Sequence, residues 1–207
     1  MSDTIDIRPG FGDPVIASQR VFRVILDALS RPGRIGTVTE ALDPPAPLAA
    51  GTAALCLALA DHDTPLWLSP ELRNPATTAF LRFHCGSPIV DDPAQAAFAI
   101  ANADTVPALD RFGIGDDAWP ETSTTLVVQV DELAAPLAAP LAAGGGLFLS
   151  GPGIQSEHRL SVAGLRDGIW DEWEANRGLF PCGIDLVLVA GTRLAALPRT
   201  TAVRSED

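Results

Sequence analysis

The segments AAFAIA (residues 96–101) and TTLVVQV (residues 124–130) are almost continuously apolar over the length of one β-strand. A strand with one face in water alternates apolar and polar side chains, whereas a strand covered on both faces does not. We therefore predict two strands buried on both faces, and LFL at residues 147–149 has a similar pattern. Two late strands are predicted at residues 184–190 and 194–197, separated by a short turn.

Helical segments alternate with these strands along the sequence. Residues 14–30 repeat apolar side chains with a helical period, and an Asp-Pro pair at their start suits a helix N-terminus. An Asn-Pro pair likewise predicts a helix over residues 75–85, followed by a glycine. Residues 48–60 indicate a buried, alanine-rich helix, and residues 166–176 indicate a fourth helix.

The alternation of helices and strands predicts the fold class. It favours an α/β fold in which a sheet is sandwiched by helices, formed as a single domain by residues 1–207. Short strands are also predicted at residues 35–39 and 64–69. The alanine- and proline-rich residues 133–146 indicate a loop or a loosely helical connection.

Composition excludes several classes of function. The formal net charge is −12, which disfavours binding to nucleic acids or to anionic membrane surfaces. All 14 basic residues are arginines, so no lysine can form a Schiff base with pyridoxal phosphate or occupy a phosphate-binding loop. Tyrosine is also absent, which removes it as a proton donor. We expect no cofactor.

The cysteines, the N-terminal residues and the length of the apolar runs indicate the cellular compartment. Cys56, Cys85 and Cys182 are odd in number and widely separated, which fits neither a disulfide framework nor a zinc motif. The first residues do not resemble a signal peptide. The longest apolar run, residues 53–60, is far shorter than the roughly 20 residues of a membrane span. We expect a soluble, cytoplasmic protein.

Two short patterns have both a chemical and a structural interpretation. Gly151-Pro152-Gly153 follows a predicted strand and could bring backbone amides close to a phosphate. No helical pattern follows it, however, so a tight turn is favoured. His62 lies between two aspartates, but no second histidine stands at metal-ligand spacing. A solvated turn is therefore favoured there too.

Two further candidates involve a cysteine and an arginine. Cys182 could be a nucleophile with His158 as its base and Asp185 as the orienting acid, although a small residue in a Pro-Gly turn is favoured. Arg199 lies in ALPRTT, which suggests an extended segment presenting polar groups at a sheet end. It could bind a phosphate or carboxylate in forked geometry, with Arg31 and Arg34 if the three converge. It could equally pair with an acid across a subunit contact.

Seven segments in a fixed order carry a resemblance to a known family. They are FRVILDALSRPGRIG (22–36), DTPLWLS (63–69), RFHCGSPIV (82–90), WPETSTTLVVQV (119–130), LFLSGPGI (147–154), NRGLFPCGIDLVLV (176–189) and ALPRTT (196–201). Together they closely resemble the PhnH family, the H subunit of the bacterial carbon–phosphorus lyase core complex for phosphonate use. The similarity extends from about residue 13 to residue 203. GPGI and FPxGxD are short motifs, but seven segments in one order make the resemblance specific.

The resemblance implies a fold, an assembly and a reaction. The fold would be like the large domain of the type I pyridoxal-phosphate transferases, without the cofactor. The protein would form a homodimer and join the G, I and J subunits. That assembly displaces adenine from ATP with a phosphonate, leaving an alkylphosphonate on the anomeric carbon of ribose 5-triphosphate. The H subunit has no established catalytic role, so we expect no catalytic residue, no metal ligand and no activity of the isolated chain.

The resemblance identifies no catalytic residues, so the candidate site residues are the motif positions themselves. We expect binding or interface roles at Arg31, Pro32, Gly33, Arg34, Gly151, Pro152, Gly153, Pro181, Gly183, Asp185, Pro198, Arg199, Thr200 and Thr201. Two other functions stay open from the residues themselves. One is a stand-alone small-molecule or nucleotide-binding module, and the other is a cysteine-dependent hydrolase.

Overall fold

The computed structural model describes residues 7–135 and 144–205. Its helices are α1 (Pro14–Ser30), α2 (Ala50–Leu59), α3 (Pro75–Cys85) and α4 (Ile169–Arg177). Its strands are β1 (Gly36–Thr37), β2 (Leu66–Leu68), β3 (Phe98–Asn102), β4 (Thr125–Gln129), β5 (Glu132–Ala134), β6 (Gly144–Ser150), β7 (His158–Ala163), β8 (Asp185–Ala190), β9 (Arg193–Leu197) and β10 (Ala202–Ser205). The protein is therefore of mixed α/β class, as predicted.

A six-stranded sheet in the order β1-β9-β8-β4-β3-β2 forms the centre of the fold. Strands β2, β3, β4 and β8 are parallel; β9 pairs antiparallel with β8, and β1 pairs antiparallel with β9 at the edge. Leu126 and Val128 of β4 join one buried cluster, and Val127 between them joins the other. The continuous apolar pattern of residues 96–101 and 124–130 thus corresponds to strands buried on both faces, as predicted.

The two faces of this sheet are covered by different layers. Helices α1, α2 and α3 supply one buried cluster, so helices cover that face as predicted. The other cluster contains α4 and the inner side chains of a four-stranded antiparallel sheet, β10-β6-β7-β5. The prediction of helices on both faces was therefore wrong for this layer. In β6, Leu147 and Leu149 are buried but Phe148 is only half-buried, so LFL is a strand covered on one face.

Caps fix the helix boundaries where the sequence carries them. The Asp13 carboxylate accepts a hydrogen bond from the Ile16 amide at 3.1 Å, and the Asn74 side-chain oxygen accepts one from the Thr77 amide at 2.9 Å. Gly86 ends α3 in the left-handed conformation. Helices α1 and α3 accordingly have the predicted bounds. Helix α4 lacks a side-chain cap and starts three residues later than predicted.

Two further regions differ from the sequence predictions. Residues 133–146 were expected to be a loop or loosely helical, but their described ends belong to β5 and β6, while residues 136–143 lie outside the described part. Strand β10 was not predicted; it pairs with β6 after a turn. None of the helices in residues 7–135 and 144–205 is long and apolar enough to cross a membrane.

Candidate functional site

The RPGR turn (residues 31–34) and the GPG turn (residues 151–153) lie against each other. A Cβ atom on Gly153 would come within 2.3 Å of the Ser30 carbonyl oxygen, and one on Gly33 within 2.2 Å of a leucine side chain of β6. Both glycines have positive φ, +80° at Gly33 and +83° at Gly153. Glycine is therefore required at 153, where the two turns meet, and at 33, where the RPGR turn packs on β6.

A cavity of about 400 Å³, the RPGR–GPG pocket, opens between the two turns and is also lined by His158. The guanidinium of Arg31 bonds to Asp27, and Nη1 of Arg34 lies 3.4 Å from the other oxygen of the same carboxylate. One carboxylate thus serves two arginines, whose side chains are both more than half exposed. Glu157, which is paired with Arg204, also lines the pocket, so the two exposed arginines lie beside two carboxylates.

Arg199 has a different environment. Its backbone amide, Nε and Nη2 donate to the Asp185 carboxylate at 2.7, 3.2 and 2.7 Å. Nη2 also donates to the Ser123 hydroxyl at 2.6 Å, and Nη1 donates to the carbonyls of Pro120 and Pro181 at 2.9 and 3.2 Å. All five guanidinium donors are engaged within the chain, and the side chain is only 13% exposed. Arg199 therefore ties three segments together and has no donor left for a ligand.

The PRTT segment is a turn rather than the extended segment that we expected. The Thr201 amide donates to the Pro198 carbonyl at 2.8 Å, and Thr201 is buried. At this turn the chain passes from the large sheet, which contains β9, to the small sheet, which contains β10. A Cβ atom on Gly151 would lie 3.0 Å from the Thr200 carbonyl oxygen, so this turn packs on the GPG turn. The three arginines do not converge, since Arg199 is held at Asp185.

The FPCGID segment is held by a residue that sequence reasoning did not single out. The buried Asn176 side chain accepts a hydrogen bond from the Ile184 amide at 2.8 Å and donates one to its carbonyl at 3.0 Å. Gly183 has φ +110°, and a Cβ atom there would lie 2.9 Å from the Asn176 side-chain oxygen. The glycine and the asparagine therefore fix the entry into β8. Pro181 lies in the same turn and accepts from Arg199.

The structure does not assemble the three residues of the candidate hydrolase site. The Cys182 thiol contacts the Asp117 carboxylate at 3.8 Å, Asp185 is bonded to Arg199, and His158 lies beside Gly33. Desolvation, followed by the neighbouring Asp117 charge, raises the pKa of the Cys182 thiol. Because the thiolate is the nucleophile, this environment opposes cysteine chemistry.

The other histidine candidate also lacks a site. His62 lies 3.3 Å from Asp63, and both side chains are largely exposed, which fits the solvated turn that we favoured. In residues 7–135 and 144–205, no group of three or more His, Cys, Asp or Glu side chains is placed to hold a metal ion.

A further crevice of about 420 Å³ lies at the carboxyl ends of the parallel strands, where ligands of open α/β sheets commonly bind. Gln129 organises it by accepting from the Ala49 amide at 2.7 Å and donating to Asn102 at 2.8 Å. Asp104 and Asp131 also line it, which makes it unfavourable for an anion. Sequence reasoning missed Gln129, although a polar side chain at the end of an apolar strand is a usable signal.

Trp173 is a third residue that sequence reasoning missed, and it connects two of the motifs. Its buried indole donates to the Thr201 carbonyl at 2.9 Å and so links α4 to the PRTT turn. Trp173 and Asn176 are three residues apart, on one face of the helix that the sequence predicted. That spacing is the only sequence signal for their shared role.

Comparisons with known proteins address the family directly. The profile of a family described as a bacterial phosphonate metabolism protein (PhnH) matches residues 9–204. The chain is 42% identical over 197 residues to the α-D-ribose 1-methylphosphonate 5-triphosphate synthase subunit PhnH of Rhizobium meliloti (strain 1021), covering 95% of this chain and 94% of the relative. It is 34% identical over 191 residues to HtxG of Stutzerimonas stutzeri, whose name places it with C-P lyase subunit proteins, covering 89% and 85%. The chain belongs to the PhnH family of bacterial phosphonate metabolism proteins, as its seven segments predicted.

Proposed function

We propose that this chain is the H subunit of a carbon–phosphorus lyase core complex and acts together with the G, I and J subunits. The complex would displace adenine from ATP with a phosphonate and so form a ribose 1-alkylphosphonate 5-triphosphate. The observation that carries the proposal is the 42% identity over 95% of the chain to a relative named as a subunit of that synthase. A bacterial cytoplasmic location is part of the same proposal.

The site geometry supports a subunit role rather than an independent active site. Cys182, His158 and Asp185 each contact other groups, and Arg199 uses every donor inside the chain. The motif positions in the RPGR and GPG turns retain exposed arginines, Arg31 and Arg34. We therefore assign the RPGR–GPG pocket a binding or interface role within the assembly.

The homodimer and the finer fold relationship belong to the same proposal. Val15, Phe22 and Leu26 form an apolar stripe on the exposed side of α1 and are 77%, 48% and 52% exposed. Such a stripe favours a helix-mediated contact, and two-fold symmetry is the commonest choice for a self-contact. Likeness to the fold of the large domain of the type I pyridoxal-phosphate transferases is supported by the parallel strands of the large sheet. The sequence has no lysine that could form a Schiff base with that cofactor.

Affinity purification tests the assembly. The tagged chain, purified from phosphate-starved cells that also produce the G, I and J proteins, is expected to retain all three partners. Arg34→Ala tests the pocket, with Arg20→Ala as a matched exposed-arginine control on α1. Retention that falls for Arg34→Ala but not for Arg20→Ala supports an interface role for the pocket. Recovery of the tagged wild-type chain without any of the three partners contradicts the proposed function.

A further inference from the structure

A second arginine-rich region lies away from the motif positions. Two adjoining depressions of about 600 and 560 Å³ share Arg73 and together form one groove, which we name the arginine groove. Arg111 lines the first depression and Arg82 the second. Trp67 of β2 lines the first depression and is only 7% exposed.

The charge of this groove is the reverse of the charge of the chain. The whole sequence has 26 acidic and 14 basic residues, whereas the groove lining has three arginines and one acid, Asp91. Arg73 lies 2.5 Å from Asp91, whose side chain is 87% exposed. Within residues 7–135 and 144–205, the side chains of Arg82 and Arg111 have no hydrogen-bond or ion-pair partner. The groove therefore has more guanidinium donors than acceptors.

The backbones that carry these arginines are held by packing. Arg82 lies on α3, whose N-terminus is capped by Asn74. Arg111 immediately precedes Phe112, which is buried and packs edge-on against Trp67 at 5.9 Å between ring centres. Positive side chains on fixed supports can bind an anion without the entropic cost of ordering a loop.

We propose that the arginine groove binds a small molecule bearing two or more phosphate groups. Guanidinium groups bind phosphate oxygens through paired, charge-assisted hydrogen bonds. Because arginines line both depressions, a ligand with two or more anionic groups can contact them together. The combined size of the two depressions and the apolar wall that Trp67 provides fit a small ligand better than they fit a flat protein surface. ATP, the substrate of the proposed reaction, belongs to this ligand class, but the proposal rests on the groove alone. A failure to bind tripolyphosphate therefore leaves the assembly with the G, I and J subunits untouched.

Calorimetric titration of the purified chain with tripolyphosphate tests the site. Arg82→Ala and Arg111→Ala are each expected to weaken binding by about tenfold, because each removes charged hydrogen bonds to the ligand. Arg20→Ala, an exposed arginine of α1 outside the groove, is the matched control and is expected to bind like wild type. Asp91→Asn is expected to tighten binding several-fold, since it removes the carboxylate that competes for Arg73.

Three results would overturn the proposal. The first is no detectable tripolyphosphate binding at millimolar concentration. The second is binding that Arg20→Ala weakens as much as Arg82→Ala and Arg111→Ala do, because the attraction would then be non-specific. The third is tighter binding of a glutamate-rich peptide that displaces tripolyphosphate and needs the same arginines, since the groove would then be a protein-docking surface. Inorganic phosphate, with a single phosphate group, is expected to bind more weakly than tripolyphosphate.

Discussion

Arg199 and the pair Arg31 and Arg34 all lie in short motifs that contain a proline, but their environments differ. Arg199 gives all five guanidinium donors to Asp185, to a hydroxyl and to two carbonyls, and is nearly buried. Arg31 and Arg34 share Asp27 and remain more than half exposed. Whether an arginine in a motif is structural or free to bind a ligand thus depends on the hydrogen-bond acceptors that the fold places around it. The local sequence does not encode those acceptors.

Removing Arg199 is the change with the largest expected effect. Arg199→Met should lower the free energy of unfolding by about 3–5 kcal/mol, because it leaves the Asp185 carboxylate partly buried without its counter-ion. Arg199→Lys should restore little, since an ammonium cannot reproduce the forked contacts. Urea unfolding of these variants and of Arg31→Met provides the measurement. Equal losses for Arg199→Met and Arg31→Met would show that the two environments do not differ in energy.

Disrupting the contact between the RPGR and GPG turns is expected to have the next largest effect on stability. Gly153→Ala should destabilise the protein by about 2–4 kcal/mol, because left-handed strain adds to a clash with the Ser30 carbonyl. Gly168→Ala is the matched control, since Gly168 has φ +76° and nothing within 4 Å of an added Cβ. That variant should lose only the strain, about 1 kcal/mol. The same loss in both variants would show that the turns do not press against each other.

Arg166 and Glu172 form an intermediate case between the two arginine environments. Their ion pair spans 2.6 Å, and Glu172 also accepts from the Leu109 amide at 2.9 Å. The hydrogen bond from Arg166 is the main reason that the pKa of Glu172 is lowered.

A glutamate with a lowered pKa stabilises the fold above its unfolded pKa, and that stabilisation is lost as pH falls through the folded value. Glu172→Gln should therefore cost about 1 kcal/mol near neutral pH. The difference from wild type should shrink below about pH 4. Urea midpoints measured across that range provide the test. A difference that grows toward acid pH would contradict the assignment.

The elements that the sequence predicted well carry their own signals. The Asp-Pro and Asn-Pro pairs fix the starts of α1 and α3, and the buried parallel strands are continuously apolar. Strand β10 depends instead on pairing with β6, so its short polar sequence did not reveal it. The same holds for the layer opposite α1–α3, where LFL of β6 was predicted to be covered on both faces and residues 133–134 of β5 were predicted to be loop or loosely helical.

The site was predictable only as a set of motif positions. The contact of Gly33 with β6 and of Gly153 with Ser30 joins segments more than a hundred residues apart. Likewise, the partners of Arg199 come from Asp185, Ser123 and two proline carbonyls. No local pattern specifies such contacts, because they arise from the packing of the two sheets.

Reconstitution of adenine release tests the central claim most directly. Purified G, I and J subunits, ATP and methylphosphonate are incubated with and without this chain, and free adenine is quantified by chromatography. We predict adenine release only when all four proteins are present, and none from this chain alone. Adenine release by the isolated chain, or an unchanged rate when the chain is omitted, would contradict its assignment as a required subunit without its own activity.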